Sequence, residues 1–155
     1  NKTVTVVGTP DIVSEMDALY LQPISFNDIG ATSRNVTFEV LSVLPDGVRI
    51  AENIEKFTVT VNTARYNEKS FTVSNVKATN LQSGLSVTTA GKIVNVKICG
   101  PSRVISSIKS TDLYAEIDLT GKSEGQYSLT PVIKSQKYNN IWVHGNVGEI
   151  TVTVK

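Results

Sequence analysis

The chain alternates apolar and polar residues over short runs, broken by glycine, proline and asparagine at close intervals. That is the signature of short half-buried strands rather than long helices. Thr3–Val7 predicts a first strand, and Gly8-Thr9-Pro10 ends it. Pro10 suits the first turn of a helix, where its missing N–H is not needed. Ile12, Val13, Met16 and Leu19 then fall near helical spacing, with Asp11 and Glu15 placed early, where the helix dipole favours acids. Leu21–Phe26 reads as extended chain, Asn35–Val43 and Phe57–Val61 as strands, and Pro45-Asp46-Gly47 as a turn. The polar residues 62–70 read as a linker. Strands are predicted again in Phe71–Leu81, Leu85–Thr88, Ile93–Ile98, Leu113–Leu119, Tyr127–Lys134, Ile141–Val143 and Glu149–Lys155, with a helix opening at Gly100-Pro101-Ser102 that turns Val104, Ile105 and Ile108 inward.

This order of elements occurs twice. Gly8 recurs as Gly100 (100 − 8 = 92), Ile24 as Ile117 (117 − 24 = 93) and Val59-Thr60-Val61 as Val152-Thr153-Val154 (152 − 59 = 93). Each copy runs strand, glycine, proline, short helix, strand. The expected architecture is therefore mostly β, in two tandem small modules, residues 1–62 and 63–155, each with one short helix after a Gly-Pro turn. The second copy opens with strand-like material that the first lacks, so the first reads as N-terminally incomplete, its missing part expected before Asn1. A module of ~60–90 residues buries only about 60% of its unfolded surface, so each half is expected to lean on a neighbour.

Composition changes this picture little. Hydrophobic content is 40% and charge 19%, ordinary values for a globular chain. The net charge of +1, with its lysines and arginines scattered, gives no concentrated basic face for nucleic acid. One cysteine, Cys99, allows no intrachain disulfide and no cysteine cluster for zinc. It lies on the opposite parity from Val94, Val96 and Ile98 and reads as a small side chain near a strand end. No run approaches the roughly 20 apolar residues of a membrane helix. No signal peptide opens the chain and Asn1 is not an initiator methionine, so an excised or processed piece is expected.

A search for chemistry finds no phosphate-binding glycine loop, no HExxH, no GxSxG and no calcium loop. The single histidine, His144, has nothing metal-like spaced around it and reads as a solvated loop residue. Glu116 and Asp118 share a strand face and could in principle hold a cation or exchange a proton. The favoured reading is structural: Asp118 opens the turn Asp118-Leu119-Thr120-Gly121 and bonds backbone N–H groups there. Ser25 occupies the matching place in the first copy and cannot titrate. Tyr20, Tyr114, Tyr127, Tyr138 and Trp142 read mainly as strand residues with one wet end, with a partner hot spot as the alternative. Asn1 and Asn35 each begin an N-x-T triplet, taken as coincidence in an Asn/Thr-rich chain. No catalytic, cofactor-binding or metal-binding residue is assigned.

The run from Ile98 to Lys134 resembles the YbbR-like domain family. That family's pattern is a strand ending in Gly-Pro, a short helix ending in isoleucine, an apolar-x-Ala-x-Ile/Val-Asp-Leu-Ser/Thr-Gly segment, a Gly-x-Tyr strand and a final Val-x-Val strand. Residues 71–155 carry every part, including Gly100, Pro101, Asp118, Gly121 and Gly125. Residues 2–62 match more loosely, with Gly8, Pro10 and Ile24 at the corresponding places and no aspartate. The resemblance implies a small, mostly β fold with a short helix and no active site. It also implies a setting: tandem repeats outside the cytoplasmic membrane of Gram-positive bacteria, held by an N-terminal membrane helix absent from this chain. There they form part of a regulator of the membrane diadenylate cyclase that makes cyclic di-AMP. The implied partner is that cyclase or a cell-surface component, with no nucleic acid and no cofactor. The alternative is a generic adhesion or spacer module of the cell surface.

Overall fold

A computed structural model describes residues 3–90 and 94–155. The chain is mostly β and divides into two compact units, Asn1–Ile24 with Ser33–Asn62, and Ser25–Thr32 with Thr63–Lys155.

The first unit contains β1 (Val6–Val7), α1 (Pro10–Val13), β2 (Arg34–Glu39), β3 (Arg49–Ile50) and β4 (Lys56–Val61). β1 pairs antiparallel with β3, and β2 with β4, placing Val36 opposite Val59 and Phe38 opposite Phe57. On β4 the alternation is direct: Phe57, Val59 and Val61 are half-buried while Lys56, Thr58 and Thr60 are exposed. Several predicted elements come out shorter. The first strand is only Val6–Val7, and Leu21–Ile24 joins no ladder. The strand from Asn35 stops at Glu39, where Val40–Ser42 turns as a 3₁₀ helix. The helix ends after one turn, at Val13. It fully buries no residue, Ile12 and Val13 being only half-buried, so little packing offsets the cost of nucleating a helix.

The second unit contains β5 (Tyr66–Val73), β6 (Val76–Thr79), β7 (Val87–Ala90), β8 (Val94–Pro101), α2 (Ser102–Ser107), β9 (Leu113–Asp118), β10 (Gly125–Leu129), β11 (Val132–Ser135), β12 (Trp142–His144) and β13 (Ile150–Val154). The first residue of the strand expected at Ile93–Ile98 lies outside the described residues. The strands form three three-stranded sheets, ordered β10-β13-β7, β11-β9-β6 and β12-β8-β5. All ladders are antiparallel except β6 with β9. The core lies between them, built from Val73, Ile98, Leu113, Ile117, Leu119, Val152 and their neighbours. Leu113, Ala115 and Ile117 on β9 and Ile150, Val152 and Val154 on β13 all point into it, with less buried residues between them. Ile105 and Ile108 close one side from α2 and the residue after it.

Two predicted boundaries change here. The expected linker at 62–70 is half strand: Tyr66–Ser70 pair with Pro101–Lys97. A ladder needs only backbone N–H and C=O groups, and of these five residues only Glu68 is half-buried, the others being exposed. The single strand expected over Tyr127–Lys134 is two, β10 and β11, which join different sheets on either side of Thr130-Pro131. Pro131 lacks the N–H needed to continue a ladder, so the chain turns a corner at that point.

Some of the pairings recur in both units. Val6 faces Ile50 in the first unit as Ile98 faces Val143 in the second, and Val36 faces Val59 as Tyr127 faces Val152. The glycines at the strand-to-helix junction show this likeness most closely. A Cβ on Gly8 would meet Val13 at 3.1 Å, the Gly47 carbonyl at 3.2 Å and Val48 at 3.2 Å. One on Gly100 would meet the corresponding Ile141 at 2.9 Å, the Asn140 carbonyl at 3.3 Å and Ile105 at 3.4 Å. Close approach of neighbouring residues, not a positive φ, crowds both junctions, and most severely at Gly100. No helix among the described residues is long and apolar enough to cross a membrane.

Candidate functional site

Among the described residues, the one group of potential metal-ligating side chains that converges lies on the outer face of the β12-β8-β5 sheet in the second unit. The register dictates it. Cys99, in the central strand, lies between Glu68 and Trp142, and the next row on that face is Ser70, Lys97, His144. The opposite face of the same strands carries Phe71, Val96 and Ile98 into the core. The segment Ser25–Thr32 covers this outer face. Its 3₁₀ turn, Phe26–Asp28, begins at Ser25, whose Oγ accepts the Asn27 N–H. Trp142 Nε1–H donates to the Ile29 carbonyl at 2.8 Å, and the Gly145 N–H donates to the Asn27 carbonyl at 2.8 Å. The Trp142 ring is tilted against Phe26 and Tyr66, with centroids 5.3 and 5.5 Å away. Gly30 sits so near that a Cβ there would lie 2.7 Å from His144 Cε1 and 3.1 Å from Glu68 Oε2.

Beneath that cover, Glu68 Oε2 accepts from the Cys99 thiol at 3.4 Å and pairs with His144 Nδ1, while Oε1 lies 3.3 Å from Lys97 Nζ. Burial pushes the Glu68 carboxyl up, but hydrogen bonds from His144, Cys99 and Lys97 outweigh it and hold the group below the usual carboxylate range. The Cys99 thiol has no exposed surface. Burial first, then its bond to Glu68 and that carboxylate's charge, push it up to about 12. A thiol so placed stays protonated near neutral pH and is no nucleophile by itself. The three potential ligand atoms, Cys99 Sγ, His144 Nδ1 and a Glu68 carboxylate oxygen, all lie within 4.8 Å of one another. An open depression of about 580 Å³, bordered by Ser70, Thr72, Asn95, Lys97, His144 and Asn146, touches this cluster at His144.

Two sequence readings are corrected by this geometry. His144 is not a solvated loop residue: it is the last residue of β12, half-buried and paired with Glu68. The statement that nothing metal-like surrounds it holds along the chain but not in space. Glu68 itself went unnoticed because it lay in an apparent linker. It stands 31 residues from Cys99 and 76 from His144, so only the β5–β8–β12 ladder brings the three together. The single usable signal was parity, since Lys97 and Cys99 alternate with the core valines of β8.

The motif residues occupy turns and junctions. Pro10 is the first residue of α1, Pro101 the residue before α2, and Ile24 is half-buried at the end of the first stretch of the first unit. Asp118 Oδ1 accepts from Thr120 Oγ1 at 2.7 Å, from the Thr120 N–H at 2.9 Å and from Asn80 Nδ2 at 2.8 Å. These bonds, the Thr120 hydroxyl foremost, hold its carboxyl at about 2. Gly121 closes that turn at φ +68° and Gly125 opens β10 at φ +151°, conformations that side chains disfavour. Glu116 pairs instead with Lys134 across the β9–β11 ladder, so the two acids of that strand serve different neighbours. Tyr114, Tyr127 and Tyr138 each lie beneath a lysine, Lys77, Lys122 and Lys137 respectively.

A family model described as YbbR-like protein matches residues 57–154. No curated protein matches the sequence. Among solved structures, the chain is similar to a YbbR-like domain from Listeria monocytogenes, with 21% identity, a TM-score of 0.46 and 57% of this chain aligned to 93% of that one. It is similar also to a YbbR-like protein from Streptococcus pneumoniae, with 17% identity and a TM-score of 0.43, where 57% of this chain aligns to 46% of that one. A YbbR family protein from Desulfitobacterium hafniense aligns at 24% identity and a TM-score of 0.40, over 55% of this chain and 95% of that one.

Proposed function

The chain belongs to the YbbR-like protein family, and from that membership we propose that it is a non-catalytic, extracytoplasmic pair of modules in a membrane-anchored protein, which regulates a membrane diadenylate cyclase through protein–protein contact. The family match over residues 57–154 carries this reading. The state of the reactive groups supports its non-catalytic part. The thiol of Cys99 is buried and protonated, Glu68 already accepts from three donors, and Asp118 is committed to a turn. A nucleophile, a base and an oxyanion donor around one open site, which hydrolysis would require, are not assembled from these groups. The work left to the fold is geometric: a small rigid sheet scaffold presents surface side chains to a partner. In this reading the membrane is reached only through a segment outside this chain.

The test is made in cells that contain the full-length protein and its cyclase. Deleting residues 63–155 while retaining any membrane segment should change the cyclic di-AMP level and abolish co-purification with the cyclase. An unchanged nucleotide level together with retained co-purification would overturn the regulatory reading and favour a spacer that only sets distance. Turnover of a substrate by the purified chain, abolished by His144→Asn or Asp118→Asn, would overturn the non-catalytic one.

A further inference from the structure

The geometry points to a zinc-type cation site formed by Cys99, His144 and Glu68 on the covered face of the β12-β8-β5 sheet. Three observations carry it. The donors come from three adjacent strands of one sheet, so backbone ladders fix their spacing. Their ligand atoms lie within 4.8 Å of one another, and Cys99 Sγ stands 3.4 Å from Glu68 Oε2. Two ligands bound at about 2.0–2.3 Å around a tetrahedral ion lie roughly 3.3–3.7 Å apart, so this pair already has the required separation. The same Glu68 oxygen is closer to His144 Nδ1 than two ligands of one ion stand, so binding requires the carboxylate to turn about its own bonds, which resets both of its distances. The third observation is access: the His144 and Glu68 side chains are both partly exposed, and His144 borders the open depression.

The donor set selects the metal. Thiolate with imidazole and carboxylate suits a borderline-soft ion such as Zn²⁺, whereas Mg²⁺ and Ca²⁺ prefer oxygen alone. Binding replaces the present hydrogen bonds by bonds to the ion. Zn²⁺ sheds bound waters and gains Zn–S, Zn–N and Zn–O bonds. The Cys99 thiol gives its proton to solvent, and the neutral His144 ring carries its hydrogen on Nε2. No electron changes hands. With two anionic ligands the centre is neutral, which relieves the burial that keeps the free thiol protonated. Lys97 on the other Glu68 oxygen then orients that carboxylate. Such an ion would cross-link β5, β8 and β12 directly beneath Gly30.

The experiment uses the whole chain, stripped with a chelator and titrated with Co²⁺ as a spectroscopic probe, then with Zn²⁺ in competition. The expected result is one Co²⁺ per chain, with a thiolate-to-cobalt charge-transfer band in the near ultraviolet that Zn²⁺ abolishes. Cys99→Ser should lose the band, and His144→Asn should weaken binding by more than about tenfold, the loss that even outer-shell changes can cause. Because Cys99 is fully buried, its alkylation reads the opening of the chain in mild denaturant, and slower alkylation with Zn²⁺ bound to the unaltered chain gives a second readout that needs no variant. No charge-transfer band at saturating Co²⁺, or unchanged alkylation with Zn²⁺ present, would overturn the site and leave the cluster a hydrogen-bonded network alone.

Discussion

Gly100→Ala tests the closest packing at the strand-to-helix junction. The added methyl would lie 2.9 Å from Ile141 Cγ2, 3.3 Å from the Asn140 carbonyl oxygen and 3.4 Å from Ile105 Cδ1. Carbon atoms rest at about 3.5–4.0 Å, so the first contact is too short by roughly 0.6–1.1 Å. Ile141 Cγ2 sits on a branched Cβ and moves only with its backbone or χ1, and the carbonyl moves only with the chain. Overpacking of this kind costs about 1–3 kcal/mol. The restricted unfolded chain returns about 0.4–1 kcal/mol, leaving a net loss of roughly 0–2.6 kcal/mol, centred on about 1.3. Trp142, the only tryptophan, lies in the second unit and reports that unit's unfolding by fluorescence. With m of about 1–2 kcal/mol/M in urea, the midpoint should fall by about 1 M at unchanged slope. The decisive control is Gly100→Ala in an Ile141→Ala background. Removing the clashing methyl should recover most of the loss, an interaction within the roughly 0.5–3 kcal/mol range of touching residues. An unaltered midpoint in the single variant, or an equal loss in both backgrounds, would refute the close-approach account of this glycine.

Two further outcomes follow from the same geometry. Gly30→Ala sets a Cβ 2.7 Å from His144 Cε1 and should lift the Ser25–Thr32 cover; amide exchange at Gly145, which donates to Asn27, should then quicken, and unchanged protection would count against that close cover. The Asp118 carboxyl is depressed in the folded state to about 2 from an ordinary value near 3.8, so its contribution to stability is complete above about pH 4 and is lost as pH falls through 2. Asp118→Ala should therefore flatten the acid limb of the stability profile between those values; a slope equal to that of the parent chain would dispose of the turn-bonding role.

What the sequence determined by itself is the local and periodic part of this protein. Period-two alternation located β4, β8, β9 and β13, because one buried face forces every second residue to be apolar. The Gly-Pro junctions and the Asp-Leu-Thr-Gly turn were legible because each depends on residues adjacent along the chain, and Asp118 bonds Thr120 two residues on, as its type and place imply. The family was legible for the same reason, through the motif run from Ile98 to Lys134. The tertiary structure alone decided which polar strand was a strand and which reactive groups meet. Tyr66–Ser70 lacks an apolar face, and only its backbone pairing with β8 makes it extended. Thr130-Pro131 became a corner because the flanking strands found different partners. Glu68, Cys99 and His144 have no meaningful spacing in the chain; strand register, a long-range property set by the packing of the opposite face, brings them to one point.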